Sequence, residues 1–235
     1  MSGRPLVIVG AAGTGRETID IVEAINARQE RFHLLGVLDD FPSQPHLDRL
    51  RDRAVPFLGS VDGWIGSAPP PTQFVVAIAA PAVREKLTAR LEAAGHRPAA
   101  LVHPAALIGS ETPIPPGAII YGGAQLSTNV RLGRCPIINM NAVIGHDCVL
   151  GDFVSVNPGA TVSGEVRLSS HVLVGGRATV LQGLTVGAGS VIGAAALVTK
   201  DIPPHMVVTG IPGRWRSAEP PAGHVTAAET TGSDS

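Results

Sequence analysis

Aromatic residues are scarce: two Trp, one Tyr and five Phe make up 3% of 235 residues. An interior with so few rings must be filled by Val, Ile, Leu and Ala, which suits a narrow coil better than a broad core. Cysteine is scarcer still, with Cys135 and Cys148 alone. Two thiols exclude a disulfide framework and a zinc motif, and they fit a reducing cytoplasm. Neither sign of charge is in excess, with 18 Lys+Arg against 19 Asp+Glu. That balance excludes the basic patch that nucleic acid or an anionic membrane surface requires. No apolar run approaches the length of a transmembrane helix. The run Leu6-Val7-Ile8-Val9 behind Arg4 is too short for a signal peptide, so a cytoplasmic protein without membrane insertion is expected.

Against these absences stands one regularity. From Val102 to Val198 every sixth residue is Val, Ile or Leu, through Ile108, Ile114, Ile120, Leu126, Leu132, Ile138, Ile144 and onward. Four places after most of them stands a small residue, such as Ala106, Ala118, Ala124, Ala142, Cys148, Ala160, Ala178 or Ala196. One helix face cannot carry this period, because six steps of about 100° rotate successive hydrophobes by about 240°. Six is a multiple of the strand period, so short strands separated by sharp turns fit, as in a parallel β-helix of hexapeptides.

The residues before the repeat read differently. Leu6–Val9 is a buried-strand run ended by Gly10-Ala11-Ala12-Gly13-Thr14-Gly15, and Ile19, Val22 and Ile25 follow at helical spacing. Further strands are expected at His33–Leu38 and Gln73–Ala79, and a helix from Pro81 to Ala94 stopped by Gly95. Alternating strands and helices imply a small parallel-sheet α/β unit of the Rossmann-like kind, with ligands at the carboxyl ends of its strands. Gly10, Gly13 and Gly15 permit a tight turn and close backbone approach to a phosphate or sugar. Their G-x-x-G-x-G spacing is not the dinucleotide pattern, so a nicotinamide cofactor is not inferred. Asp39 and Asp40 stand where a carboxylate accepts hydrogen bonds from a ribose or base, and an ordinary solvated turn explains them equally. Three segments follow: residues 1–100, residues 101–216, and a Thr-, Gly- and Ser-rich tail at 217–235 too poor in apolar surface to offset ordering entropy.

Polar residues at the turns of a regular repeat are not needed for packing. They concentrate in Asn139-Met140-Asn141 and Gly145-His146-Asp147. His146 lies two residues after the inward Ile144, at a corner of the coil. An exposed imidazole there can serve as a general base near neutral pH, oriented by an adjacent carboxylate, although a lone histidine at such a corner is more often a plain surface residue. His171 and His205 are read as surface residues.

Gly145-His146-Asp147-Cys148-Val149-Leu150-Gly151-Asp152-Phe153, Asn157-Pro158-Gly159-Ala160 and Val198-Thr199-Lys200-Asp201-Ile202-Pro203-Pro204 resemble the hexapeptide-repeat acyltransferases. The closest resemblance is to the branch of sialic acid O-acetyltransferases and nucleotide-linked 4-amino-sugar N-acetyltransferases. The solenoid entry Leu101-Val102-His103-Pro104-Ala105-Ala106 and the amino-terminal glycine turn match the same branch, so it spans about residues 5 to 213. The resemblance implies a left-handed parallel β-helix after the Rossmann-like domain, a homotrimer, and acetyl-CoA as co-substrate in grooves between subunits, with no metal. It places the catalytic base on His146 with Asp147 beside it, and matches Asn139 to a family asparagine near the reacting groups. With three hexads per turn, residues about eighteen apart stack, which puts His146, Gly164, Gln182 and Lys200 in one column along the cofactor path.

The implied acceptor is the amino group of a nucleotide-linked amino sugar of the 4-amino-4,6-dideoxy type, held by Gly10, Gly13, Thr14, Gly15, Asp39 and Asp40. Transfer would be direct, without an acyl-enzyme. Two positions depart from the branch: Thr14 and Ser155 stand where relatives carry histidines. A sugar or sialic acid O-acetyltransferase is the near alternative, and a non-catalytic trimeric scaffold that binds nucleotide sugar is an alternative of another class. A zinc anhydrase on the same solenoid would need converging imidazoles, which the spacing of His146 and His171 does not supply.

Overall fold

The computed structural model describes residues 3–217. Its amino-terminal part is a four-stranded parallel sheet of β1 (Arg4–Val9), β2 (Phe32–Leu38), β3 (Gln73–Val76) and β4 (Arg97–Pro98), in the order β2-β1-β3-β4. Between the strands lie α1 (Gly13–Arg28), α2 (Gln44–Asp52), α3 (Val61–Gly66) and α4 (Pro81–Ala93). β1 and β2 are near-continuous apolar runs because both faces of the sheet are covered. α1 buries Ile19, Ile21, Val22 and Ile25. The short helices α2 and α3 were not legible: α2 buries only Leu50, and α3 has six residues, of which Val61 and Trp64 are buried. Neither offers a face long enough to show a helical period.

The six-residue register becomes sixteen two-residue strands, β5 (Leu101–Val102) through β20 (Leu197–Val198). Partners are eighteen residues apart: Ile144 pairs with Val162, and Val180 with Val198. Each coil therefore takes three hexads, and the strands stack into three parallel faces of a β-solenoid. The leading residues and their small companions fill one core, in which Ile120, Ile138, Ile144, Val162 and Val180 meet Ala124, Ala142, Cys148, Ala160 and Ala178 with no exposure. Burial of this column stabilises the solenoid by about 25 cal/mol per Å² of apolar surface removed from water. Ile114 alone among the early leads has no strand, because Pro113, Pro115 and Pro116 around it lack the N–H a ladder needs, although its side chain packs on the core. The solenoid ends in β21 (Met206–Thr209) and β22 (Arg214–Ser217), paired antiparallel. Ser217 thus belongs to a strand, and the rest of the expected tail, 218–235, lies outside the described residues.

The sheet domain sits on the first solenoid face. Leu101, Ile119, Tyr121 and Ile137 share one cluster with Leu6, Ile8, Ile19 and Val22. On the other side α4 inserts Arg84, which is 1% exposed. Its guanidinium donates to the carbonyls of Cys135 at 3.0 Å and Phe153 at 2.5 Å on the solenoid, and to Ile78 at 2.7 Å on its own domain. Among the described residues no carboxylate pairs with it, and burial pushes its pKa down to about 10, so it stays charged at neutral pH. Among the described residues no helix is long and apolar enough to cross a membrane.

Candidate active site

Corners of the solenoid need one residue in the left-handed region, and Glu111, Asn129, Asp147 and Glu165 occupy successive corners with φ between 54° and 62°. Asp147 turns its carboxylate back on the preceding residue, and His146 Nδ1 lies 2.8 Å from Asp147 Oδ2. The Asn129 amide donates to Asp147 Oδ1 at 3.1 Å. These two bonds hold the Asp147 carboxyl below its ordinary range, the one to His146 contributing most. A carboxylate only accepts, so Nδ1 carries the hydrogen, and in the neutral ring the lone pair is on Nε2. The His146 side chain remains 55% exposed.

Nε2 points across Gly164, one coil further on. A β-carbon added to Gly164 would stand 2.5 Å from Nε2, so the ring needs a residue without a side chain there. The Gly164 carbonyl accepts from Gly183, which continues the stack, while the Gly164 N–H makes no hydrogen bond among the described residues. Gln182 and Lys200 follow on the same column, both exposed. Asn139 is not beside His146 within the chain. It lies on the preceding corner, where it is 7% exposed and its Oδ1 accepts from Met140 N at 2.8 Å.

That second corner is the one the glycine turn reaches. Tyr121 and Asn139 stack on it one coil apart, and the Tyr121 hydroxyl donates to the Thr14 carbonyl at 3.1 Å. Thr18 Oγ1 donates to the same carbonyl at 2.7 Å. Burial pushes the Tyr121 phenol pKa up, so it remains a donor. Within the turn, Gly10 has φ +113° and a β-carbon on Gly15 would overlap the Gly10 carbonyl oxygen, so both glycines are needed by the fold. Gly13 faces open space. Asp39 holds the turn, accepting from Ala11 N and Phe41 N at 2.8 Å each. Asp40 accepts from Val61 N at 2.8 Å and pairs with Arg90 at 3.2 Å. Asp39 is therefore committed to backbone donors and Asp40 to one backbone donor and the Arg90 guanidinium, unlike the carboxylates of a free solvated turn. Beside them a cleft of about 420 Å³ opens at the carboxyl ends of the strands, lined by Val9, Phe41, Ile78, Lys86 and Arg90 among others.

Ser155 is away from both corners. It is fully buried, donates to the Ala79 carbonyl at 2.8 Å and accepts from Arg84 at 3.0 Å, so it serves the domain junction. His171, read from sequence as a plain surface residue, stacks on Phe153 at 5.7 Å and meets Glu85 at 3.0 Å on α4. Among the described residues no cluster of three or more His, Cys, Asp and Glu is placed to hold a metal ion.

Residues 5–91 match the family described as the PglD N-terminal domain. The acetyltransferase domain of PglB from Neisseria gonorrhoeae FA1090, solved in complex with acetyl coenzyme A, superposes with a TM-score of 0.78 at 29% identity, covering 91% of this chain and 99% of that one. The chain shares the architecture of that acetyltransferase structure over nearly its whole described length. WeeI from Acinetobacter baumannii AYE, at 27% identity and a TM-score of 0.77, covers 90% of this chain and 99% of that one. GDP-perosamine N-acetyltransferase of Escherichia coli O157:H7 is 31% identical over 147 residues, or 62% of this chain. That match spans 64% of the relative, just under two thirds of its length. The resemblance to the branch of sialic acid O-acetyltransferases and nucleotide-linked amino-sugar N-acetyltransferases, expected from the solenoid motifs and the glycine turn, is borne out, as is the order of a parallel-sheet domain followed by a parallel β-solenoid.

Proposed function

We propose that this chain is an acetyl-CoA-dependent N-acetyltransferase acting on the amino group of a nucleotide-linked amino sugar of the 4-amino-4,6-dideoxy type. The observation that carries the reading is the His146–Asp147 pair: Asp147 engages Nδ1 of an exposed ring and leaves Nε2 directed over Gly164. The cleft beside Asp39 and Asp40 receives the nucleotide, and the glycine turn at Gly13 and Thr14 directs the sugar toward the Tyr121–Asn139 corner. Asn139 and His146 stand on successive corners, so a neighbouring subunit of a homotrimer supplies the second wall of the groove. Acetyl-CoA runs along His146, Gly164, Gln182 and Lys200. The acetyl-CoA complex of the gonococcal relative and the acceptor named for the E. coli relative support these assignments.

In the step itself the acceptor nitrogen attacks the thioester carbonyl while His146 Nε2 takes its proton. The free Gly164 N–H stabilises the oxyanion. The C–N bond forms, the C–S bond breaks, and the proton passes to the departing CoA sulfur, so no acyl-enzyme is required. Positioning two bound substrates supplies much of the acceleration. The test is CoA release from acetyl-CoA with UDP-, dTDP- and GDP-linked 4-amino-6-deoxy sugars, followed by hydroxylamine treatment of the product. A hydroxylamine-stable amide supports the reading. A labile ester assigns O-acetylation instead, and no release despite tight nucleotide-sugar binding assigns a scaffold.

A further inference from the structure

The corner residues Glu111, Asn129, Asp147 and Glu165 stack eighteen residues apart, all in the left-handed conformation and all exposed. Three carry carboxylates and one an amide, and that amide lies directly against Asp147. We infer that Asn129 is a positioning residue of the proposed catalytic pair, acting one coil away through Asp147. This inference rests on the reading of His146 as the base.

The geometry distinguishes this corner from its neighbours. The Asp147 carboxylate has one donor on each oxygen, Asn129 Nδ2 on Oδ1 at 3.1 Å and His146 Nδ1 on Oδ2 at 2.8 Å. With one bond the carboxyl group could rotate about its own axis and release the imidazole. With two, its plane is fixed and so is the ring that hydrogen-bonds to it. Glu111 and Glu165, at the equivalent places one coil below Asn129 and one above Asp147, make no side-chain hydrogen bond among the described residues. The lock thus occurs only where the histidine stands. An acid at 129 would set a fourth carboxylate in the column against Asp147, whereas an amide supplies the donor and avoids the repulsion. The Asn129 bond also helps keep the Asp147 carboxyl ionised, second to that from His146. The backbone is anchored independently, since Asn129 N donates to Ser110 O at 3.0 Å and Asp147 N to Thr128 O at 3.1 Å. Changing the amide therefore does not remove the turn.

The experiment compares Asn129→Gly, Asn129→Asp and His146→Ala in the full chain, with steady-state kinetics and a 13C NMR titration of the Asp147 carboxyl. Glycine accepts the left-handed backbone, so Asn129→Gly keeps the corner. The expected result is a kcat lower by on the order of 10-fold, at the lower end of what losing an outer-shell partner costs, with KM for acetyl-CoA unchanged. The Asp147 titration should move to higher pH in Asn129→Gly and further in Asn129→Asp. Wild-type kcat in Asn129→Gly alongside an inactive His146→Ala overturns the role of Asn129 alone. A lower kcat with an unmoved Asp147 titration also overturns it, because the effect would not pass through Asp147. Wild-type activity in His146→Ala overturns the underlying assignment of the base and the role of Asn129 with it.

Discussion

The His146 imidazole lies across Gly164, with a β-carbon on that glycine falling 2.5 Å from Nε2 and 2.7 Å from Cε1. The atoms that would clash are the far end of an exposed side chain, so the conflict is relieved by turning the ring rather than by unfolding. Gly164→Ala should therefore leave the melting temperature almost unchanged and lower kcat by up to about 100-fold, the loss that a misplacement near 1 Å brings. Parallel thermal melts and CoA-release kinetics check both halves.

Arg84 joins the domains through a buried cation hydrogen-bonded to carbonyls on both sides. Arg84→Met fills a similar volume but leaves those acceptors without donors. Each orphaned buried acceptor costs roughly 1–3 kcal/mol, partly offset because the charge itself no longer has to be buried. Denaturant unfolding should show a net loss of at least about 2 kcal/mol, and the N-terminal domain should become the more sensitive to protease.

Acid sensitivity is expected from His96. The ring is buried, accepts from Thr72 N at 3.2 Å and packs tilted against Trp64, with ring centroids 4.6 Å apart. Burial holds its pKa below the ordinary 6.5. The unfolded chain then binds a proton near pH 6.5 that the folded chain refuses, so its stabilising contribution is complete above that pH and is lost as pH falls through the folded value. Asn at 96 keeps an acceptor for Thr72 and cannot titrate. Stability measured against pH should fall less steeply on the acid side in His96→Asn than in wild type.

Asp39 ties the glycine turn to the end of β2 through Ala11 N and Phe41 N. Asp39→Ala frees both donors and loosens the proposed sugar-nucleotide site without touching the His146 corner. KM for the nucleotide sugar should rise on the order of 10-fold, the equivalent of about 1.4 kcal/mol, with KM for acetyl-CoA unchanged.

The column of proposed site residues was legible because the hexad register never slips between Val102 and Val198, so counting eighteen from His146 reached Gly164, Gln182 and Lys200. The same count backwards from Asp147 reaches Asn129, a signal that was present and unread. Arg84 gave no such signal: apart from Ser155 Oγ, its acceptors on the solenoid are main-chain carbonyls of Cys135, Phe153 and Val154, far away in sequence and invisible as residue types. Tyr121 likewise meets Thr14 only because the two domains pack together. Ser155 stood out as a departure from the related histidines, and its place against Arg84 shows a junction residue. Periodicity reports what a coil does to itself, and contacts between separately patterned domains leave no period to read.

The most direct measurement is kcat/KM for CoA release by wild type and His146→Ala, taken from about pH 6 to 9 with the amino sugar that turns over. A general base at this corner requires a loss of about 100-fold or more in the variant, together with disappearance of the acid limb of the pH profile. Wild-type kcat/KM in His146→Ala across that range would contradict it.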